Sequence, residues 1–224
     1  MLTPAESREA LTLVTGEAVS KATSLLKTDG SFAARRALML DGVPQIIMTY
    51  SYGSSALAAD FYDDQREIAA PPKLYVAEPI ILDREEKIGR AVAWATEPLL
   101  DDELEVVESR LAEVVQFETA HPYRDTITEN RERDPSAVGW RRIASGGCKF
   151  CRMLADRGAV YIDSTALFAA HTNCGCTAQP VFSTDDFGEE ANVMQYLASR
   201  KRRTPKQRAQ LREYLNTNYS DFPG

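Results

Sequence analysis

Apolar residues return every three to four positions from the N-terminus to Arg133, so the chain predicts a succession of helices there. Thr3-Pro4-Ala5-Glu6 reads as a capping box with proline at the first helical position, and Leu11, Val14, Ala18, Ala22 and Leu25 carry the stripe of a helix to about Lys27. Asp29-Gly30 breaks it. A second helix is expected over Phe32 to Tyr50, interrupted near Asp41-Gly42-Val43-Pro44. Tyr50 to Glu67 gathers Gly53, Ser54, Ser55, Ala56, Ala58 and Ala59 between Tyr52, Phe61 and Tyr62, which favours a tightly packed buried helix over a binding surface. Pro71-Pro72 marks an extended loop.

Arg84 to Thr96 is amphipathic, with Ile88, Ala91, Val92 and Ala95 on one side and Trp94 at the edge. The most regular stripe, Leu104, Val107, Leu111, Val114 and Val115, belongs to a helix from about Asp101 to Ala120, whose acidic start suits a helix N-terminus. His121-Pro122 is expected to end or kink it, with His121 a helix-end residue, and a polar helix follows from Tyr123 to about Arg133. The mixed charges Arg124, Asp125, Glu129, Arg131, Glu132, Arg133 and Asp134 read as a solvated face.

At Asp134-Pro135-Ser136 the helical period stops. Val138 to Ile143 alternates as a strand does, Phe150 to Asp156 makes a short helix with Gly158 as its stop, and Ala159 to Ile162 and Thr177 to Phe182 are further strands. A short helix is expected over Glu189 to Ala198, and Thr204-Pro205-Lys206-Gln207 repeats the capping signature before a last helix to about Leu215. The fold class is α+β and mainly helical: a helical body over 1–134, a small metal-stapled mixed lobe over 135–186, and C-terminal helices with a basic segment over 187–224.

The chemistry sits in the middle unit. All four cysteines and one of the two histidines lie between Gly146 and Cys176, as a C-x-x-C pair (Cys148, Cys151) followed by H-x-x-C-x-C (His171, Cys174, Cys176). A borderline-soft tetrahedral ion prefers thiolate and imidazole, and two short turns can aim four such groups at one point, so one structural Zn²⁺ is expected. Five candidates compete for four places: Cys148, Cys151, His171 and Cys174 are the first choice, with Cys176 the alternative fourth ligand or a thiol just behind the shell. A redox pair or two disulfides is the competing reading; tight clustering and the lack of a signal-peptide pattern weigh against it. A zinc deaminase is excluded by order and content, since His171 is followed by Thr172 and Asn173 with no glutamate, and the C-x-x-C comes first.

A hydrophobic fraction of 44%, 26% charged residues and a net charge of −7 describe an ordinary globular chain without general affinity for nucleic acid, and no apolar run is long enough to cross a bilayer. The balance reverses locally. Arg200, Lys201, Arg202, Arg203, Lys206, Arg208 and Arg212 form a run without acidic residues, which reads either as a solvated tail or as a contact for packaged DNA or an acidic partner. The sequence has no phosphate-cradling glycine loop, no G-x-S-x-G and no H-E-x-x-H, and no catalytic residue is assigned.

Trp140 to Ile143 (WRRI), Gly146 to Tyr161 and His171 to Phe182, with Leu57 to Arg66 (LAADFYDDQR) more weakly, resemble the Mu F-like minor head proteins of tailed phages, in the version carried by phages of actinobacteria. The resemblance implies a non-enzymatic virion protein. It would be made in the host cytoplasm, lie inside the head near the portal, contact portal and major capsid or scaffold proteins, and assist head assembly, DNA packaging or ejection. Relatives in which the module is fused to a maturation protease or a toxin-like domain lend no activity here, because the chain ends soon after it. The competing readings are a zinc-containing nucleic-acid-processing enzyme or toxin-like protein, and a plain DNA-binding zinc module.

Overall fold

A computed structural model describes residues 1–144, 148–156, 161, 168, 174–187 and 204–220. Among these the chain forms α1 (Pro4–Ser24), α2 (Phe32–Ala69), α3 (Glu85–Thr96), α4 (Leu104–Arg133), β1 (Gly139–Ile143), α5 (Lys149–Asp156), β2 (Thr177–Val181) and α6 (Pro205–Asn218), with short 3-10 turns after α1, α3 and β2. The architecture is α+β and mainly helical, as expected. Both capping boxes form: the Thr3 hydroxyl accepts the Glu6 amide while the Glu6 carboxylate accepts the Thr3 amide, and Thr204 and Gln207 repeat the exchange. Gly30, at φ +144°, supplies the turn between α1 and α2.

The interruption expected near Pro44 and the helix end expected at Pro122 do not occur. Helix α2 runs through Asp41-Gly42-Val43-Pro44 to Ala69, and α4 runs through His121-Pro122 to Arg133. Proline removes one hydrogen bond and costs a helix interior about 3 kcal/mol. Met39, Val43 and Ile47 bracket Pro44, and Ala120, Tyr123 and Ile127 bracket Pro122, all at 3% exposure or less. Several buried side chains at about 1.5–3 kcal/mol each outweigh one lost bond. Gly42 permits the close approach of the turn after α1, since a Cβ there would lie 3.3 Å from Leu25 Cδ1.

Helices α2 and α4, about 57 and 45 Å long at 1.5 Å per residue, reach across two apolar clusters. One is helix on helix: Ala18, Ala22, Met39, Val43, Ile47, Ile88, Val92, Leu99, Val107, Leu111 and Val115. The other joins the far halves of α2 and α4 to the sheet, with Phe61, Tyr62, Tyr123 and Ile127 against Trp140, Tyr161 and Ala178. The small residues of α2 serve this packing as expected, since Ser51, Ser54, Ser55, Ala58 and Ala59 are buried.

The stretch from Lys73 to Arg84 is extended and lies along α4, held by side chains in place of a β-ladder. Asn130 accepts the Glu78 amide (2.8 Å) and donates to the Glu78 carbonyl (2.8 Å); Thr126 Oγ1 accepts the Ile80 amide and donates to its carbonyl (3.0 and 3.2 Å). Arg84 closes the run with a two-pronged bond to the buried Glu118.

Strands β1 and β2 are antiparallel, in register from Gly139↔Val181 to Ile143↔Thr177. Tyr161 bridges Trp140 on the other side of β1. The strand expected over Ala159 to Ile162 otherwise lies outside the described residues, as do the helix expected over Glu189 to Ala198 and the basic residues Arg200, Lys201, Arg202 and Arg203. The sheet and the stretch before α3 cover the end of α4 that its charges marked as solvated: Arg124, Asn130 and Asp134 are 2%, 0% and 3% exposed, and Glu132 and Arg133 alone in it are exposed. Tyr62 meets Phe182 edge-on at 5.6 Å, Gln179 donates to Gln65 (2.7 Å), and Arg66 is paired with Asp134 (2.8 Å).

Candidate metal centre

Cys148 stands just before α5 and Cys151 in its first turn, a spacing that curls the chain around the first sulfur. The Cys151 amide donates to Cys148 Sγ at 3.3 Å, and the Arg152 amide to the Cys148 carbonyl. Cys174 and Cys176 come from the turn leading into β2, and pairing of β2 with β1 carries that turn to the start of α5. The Sγ atoms of Cys151, Cys174 and Cys176 lie within 4.8 Å of one another, and the residues are 2%, 4% and 1% exposed. Cys148, half-buried, packs against them. All four are free thiols.

This donor set fits a zinc ion. Four sulfurs at about 2.3 Å from a tetrahedral centre stand about 3.8 Å apart. Cys151 Sγ and Cys174 Sγ are 3.6 Å apart in the structure, an edge that needs almost no movement. The other two edges of the Cys151, Cys174 and Cys176 triangle are no longer than 4.8 Å. Cys151, Cys174 and Cys176 would supply three ligands and Cys148 is at hand for a fourth. His171 lies outside the described residues. Zinc here would supply a covalent cross-link between two turns that otherwise share little core.

The electrostatics favour a thiolate at Cys174: hydrogen bonds from Cys151 and Cys176, then the Arg124 charge, hold it below the ordinary thiol range despite its burial. The same contacts with Cys174 and Cys176, and burial, raise the Cys151 thiol. Arg124 from α4 donates Nε to the Cys176 carbonyl (3.1 Å) and Nη2 to the Cys174 carbonyl (2.5 Å). From β1, Arg142 brings Nη1 to 3.9 Å of Cys174 Sγ. Both guanidiniums stack on the Phe168 ring, at 5.1 and 3.9 Å, and Phe168 stacks in turn on Trp140.

Sequence reasoning found the cysteines and missed this frame. Arg142 carried a signal: it shares a strand face with Trp140, and an arginine in phase with a core tryptophan needs a buried partner. Arg124 carried a weaker one, one helical turn beyond Ala120. His121 is not drawn to the cysteines; it lies mid-helix, with Nδ1 2.7 Å from Asp125 Oδ2.

The fold and centre define a mainly helical protein with a small hairpin lobe that carries a cluster of cysteines able to hold a metal. The family model for VG15 protein matches residues 5–200, and the chain belongs to that family of viral proteins. No curated protein and no solved structure matches. Among the described residues no helix is long and apolar enough to cross a membrane.

Proposed function

We propose that the chain is a minor head protein of a tailed phage, of the Mu F-like kind, without enzymatic activity. It lies inside the head near the portal, in contact with portal and major capsid or scaffold proteins, and assists assembly, packaging or ejection. One observation carries the reading. The stretches that resemble Mu F-like proteins, Trp140 to Ile143, the Cys148 to Asp156 turn and helix, and Cys174 to Phe182, come together as a single knuckle and hairpin seated on α4. Three thiols sheathed to 4% exposure or less, with Cys148 half-buried beside them, suit a staple, because a catalytic metal keeps one position open to water. Membership in a viral family over most of the chain supports the setting.

The staple holds the lobe on the body, and the body offers long helical faces for docking. Lys206, Arg208 and Arg212 are exposed on α6 and continue the basic run that begins at Arg200, so this end of the chain is the part that touches packaged DNA or the portal. The test is made in the phage. Heads and finished virions from an infection expressing an epitope-tagged copy are purified and blotted alongside portal protein. The tagged chain should co-purify with both, and a Cys151→Ser, Cys174→Ser double variant should be depleted from both. Heads that hold portal but no tagged protein would overturn the proposal, and nucleic-acid turnover by the purified chain would transfer it to the enzyme reading.

A further inference from the structure

Arg124 is 2% exposed, yet among the described residues no carboxylate is bonded to it. Its fork is spent on the carbonyls of Cys174 and Cys176, and its remaining nitrogen, Nη1, is buried without a hydrogen-bond partner. A guanidinium withdrawn from water this fully costs several kcal/mol unless negative charge stands close by. Its fork holds the turn that carries the Cys174 and Cys176 sulfurs, groups that become negative when they bind a metal. We infer that Arg124 is the positioning residue of the metal centre: it grips the Cys174-Gly175-Cys176 turn from behind, aims both sulfurs inward, and supplies the positive charge that a thiolate-rich zinc complex lacks.

The inference rests on the zinc reading and extends it in two respects. Cys174 and Cys176 are both ligands, since one fork orients both, which takes in the cysteine that the spacing left as an alternative. The centre is also completed by a helix of the body, so metal loading and docking of the lobe on α4 are linked. Three thiolates around Zn²⁺ carry one net negative charge and four carry two; either is met by a fixed cation at the turn, as outer partners commonly tune such sites.

The experiment titrates purified full-length chain with Zn²⁺ against a chromophoric chelator, and records the thiolate-to-metal and ligand-field bands of the Co²⁺ form. Arg124→Met should lower metal affinity about 10- to 100-fold, the usual effect of removing an outer partner, and should shift or broaden the Co²⁺ bands. Arg124→Lys, which keeps the charge and loses the fork, should retain an affinity between the two. Leu111→Ala, which destabilises the same helix within the helix-on-helix cluster and away from the sheet, should leave affinity and spectrum as in the wild type. Equal losses in Leu111→Ala and Arg124→Met would reduce Arg124 to ordinary packing and overturn the inference, as would an unchanged Arg124→Met. Should Arg124→Met not fold, Arg124→Lys decides alone: wild-type affinity with a wild-type spectrum refutes the role. Wild-type protein that binds neither metal would sink the zinc reading itself, and this inference with it.

Discussion

Replacing Asp134 by alanine should cost the protein about 3–5 kcal/mol, the range for breaking a buried ion pair from one side. The Asp134 side chain is wholly buried at the junction of α4 and the sheet. Its Oδ2 accepts from Arg66 Nε at 2.8 Å and from the Tyr62 hydroxyl at 3.4 Å, and its Oδ1 accepts the Ser136 amide at 2.9 Å. Alanine removes all three bonds and leaves Arg66, whose side chain is 10% exposed, bonded only to the Lys73 carbonyl. For a chain of this length each kcal/mol moves the melting temperature about 2–4 °C, so a fall of roughly 6–20 °C is expected. The assay is urea unfolding followed by far-ultraviolet circular dichroism, run as a cycle with Arg66→Met and the Arg66→Met, Asp134→Ala double variant. The double variant should be more stable than the sum of the single losses by at least about 2 kcal/mol, since a buried pair exchanged for apolar side chains is often neutral. Coupling below about 0.5 kcal/mol, the level of independent sites, would refute the pairing.

Asn130→Leu should release the stretch from Lys73 to Arg84: at about 1–3 kcal/mol for the polar groups left unpaired, chymotryptic cleavage near the fully exposed Leu74 should quicken roughly 5- to 150-fold, while unchanged cleavage would show that Asn130 does not hold it. In a Trp94→Phe background, which leaves Trp140 as the sole tryptophan, removal of metal by a chelator should red-shift its emission, because Trp140 is 2% exposed and stacked on Tyr161 at 4.2 Å. An unmoved spectrum would separate the centre from the sheet. Burial raises the Asp63 carboxyl above its ordinary value, against the opposing Ala77 amide and Arg66 charge. The folded state therefore holds this proton more tightly than the unfolded one, and stability falls as pH rises from the unfolded value near 4 through the higher folded one. Asp63→Asn keeps an acceptor for the Ala77 amide and should remove that fall; equal slopes in both proteins would count against it.

The caps, the amphipathic faces and the cysteine grammar were legible because each is a local pattern. Thr3 with Glu6 and Thr204 with Gln207 act within one turn, and the thiols come from two short segments. The continuity of α2 and α4 was not legible, because Pro44 and Pro122 are overruled by burial against distant helices. The polar end of α4 misled for the opposite reason. Arg124 and Asp134 look like surface charges until the strands that cover them, and the partners Cys174, Cys176 and Arg66, are placed beside them. Asn130 and Thr126 gave no sign of standing in for a missing strand, since apart from the Tyr75 hydroxyl what they bind there is backbone, which has no sequence signature.

The grip of Arg124 on the Cys174 carbonyl spans fifty positions of chain, and that separation sets an order of events on the ribosome. At about 5–20 residues per second, the end of α4 is made some 3–10 s before the knuckle that will cover it. During that interval the nascent helices present Arg124 and the aromatic flank of Phe61, Tyr62 and Tyr123 to the surroundings, with nothing yet synthesised to shield them. Zinc capture by Cys174 and Cys176 would then act as a latch on helices already made, and cells starved of the metal would accumulate chains whose helices are formed and whose sticky end is still open.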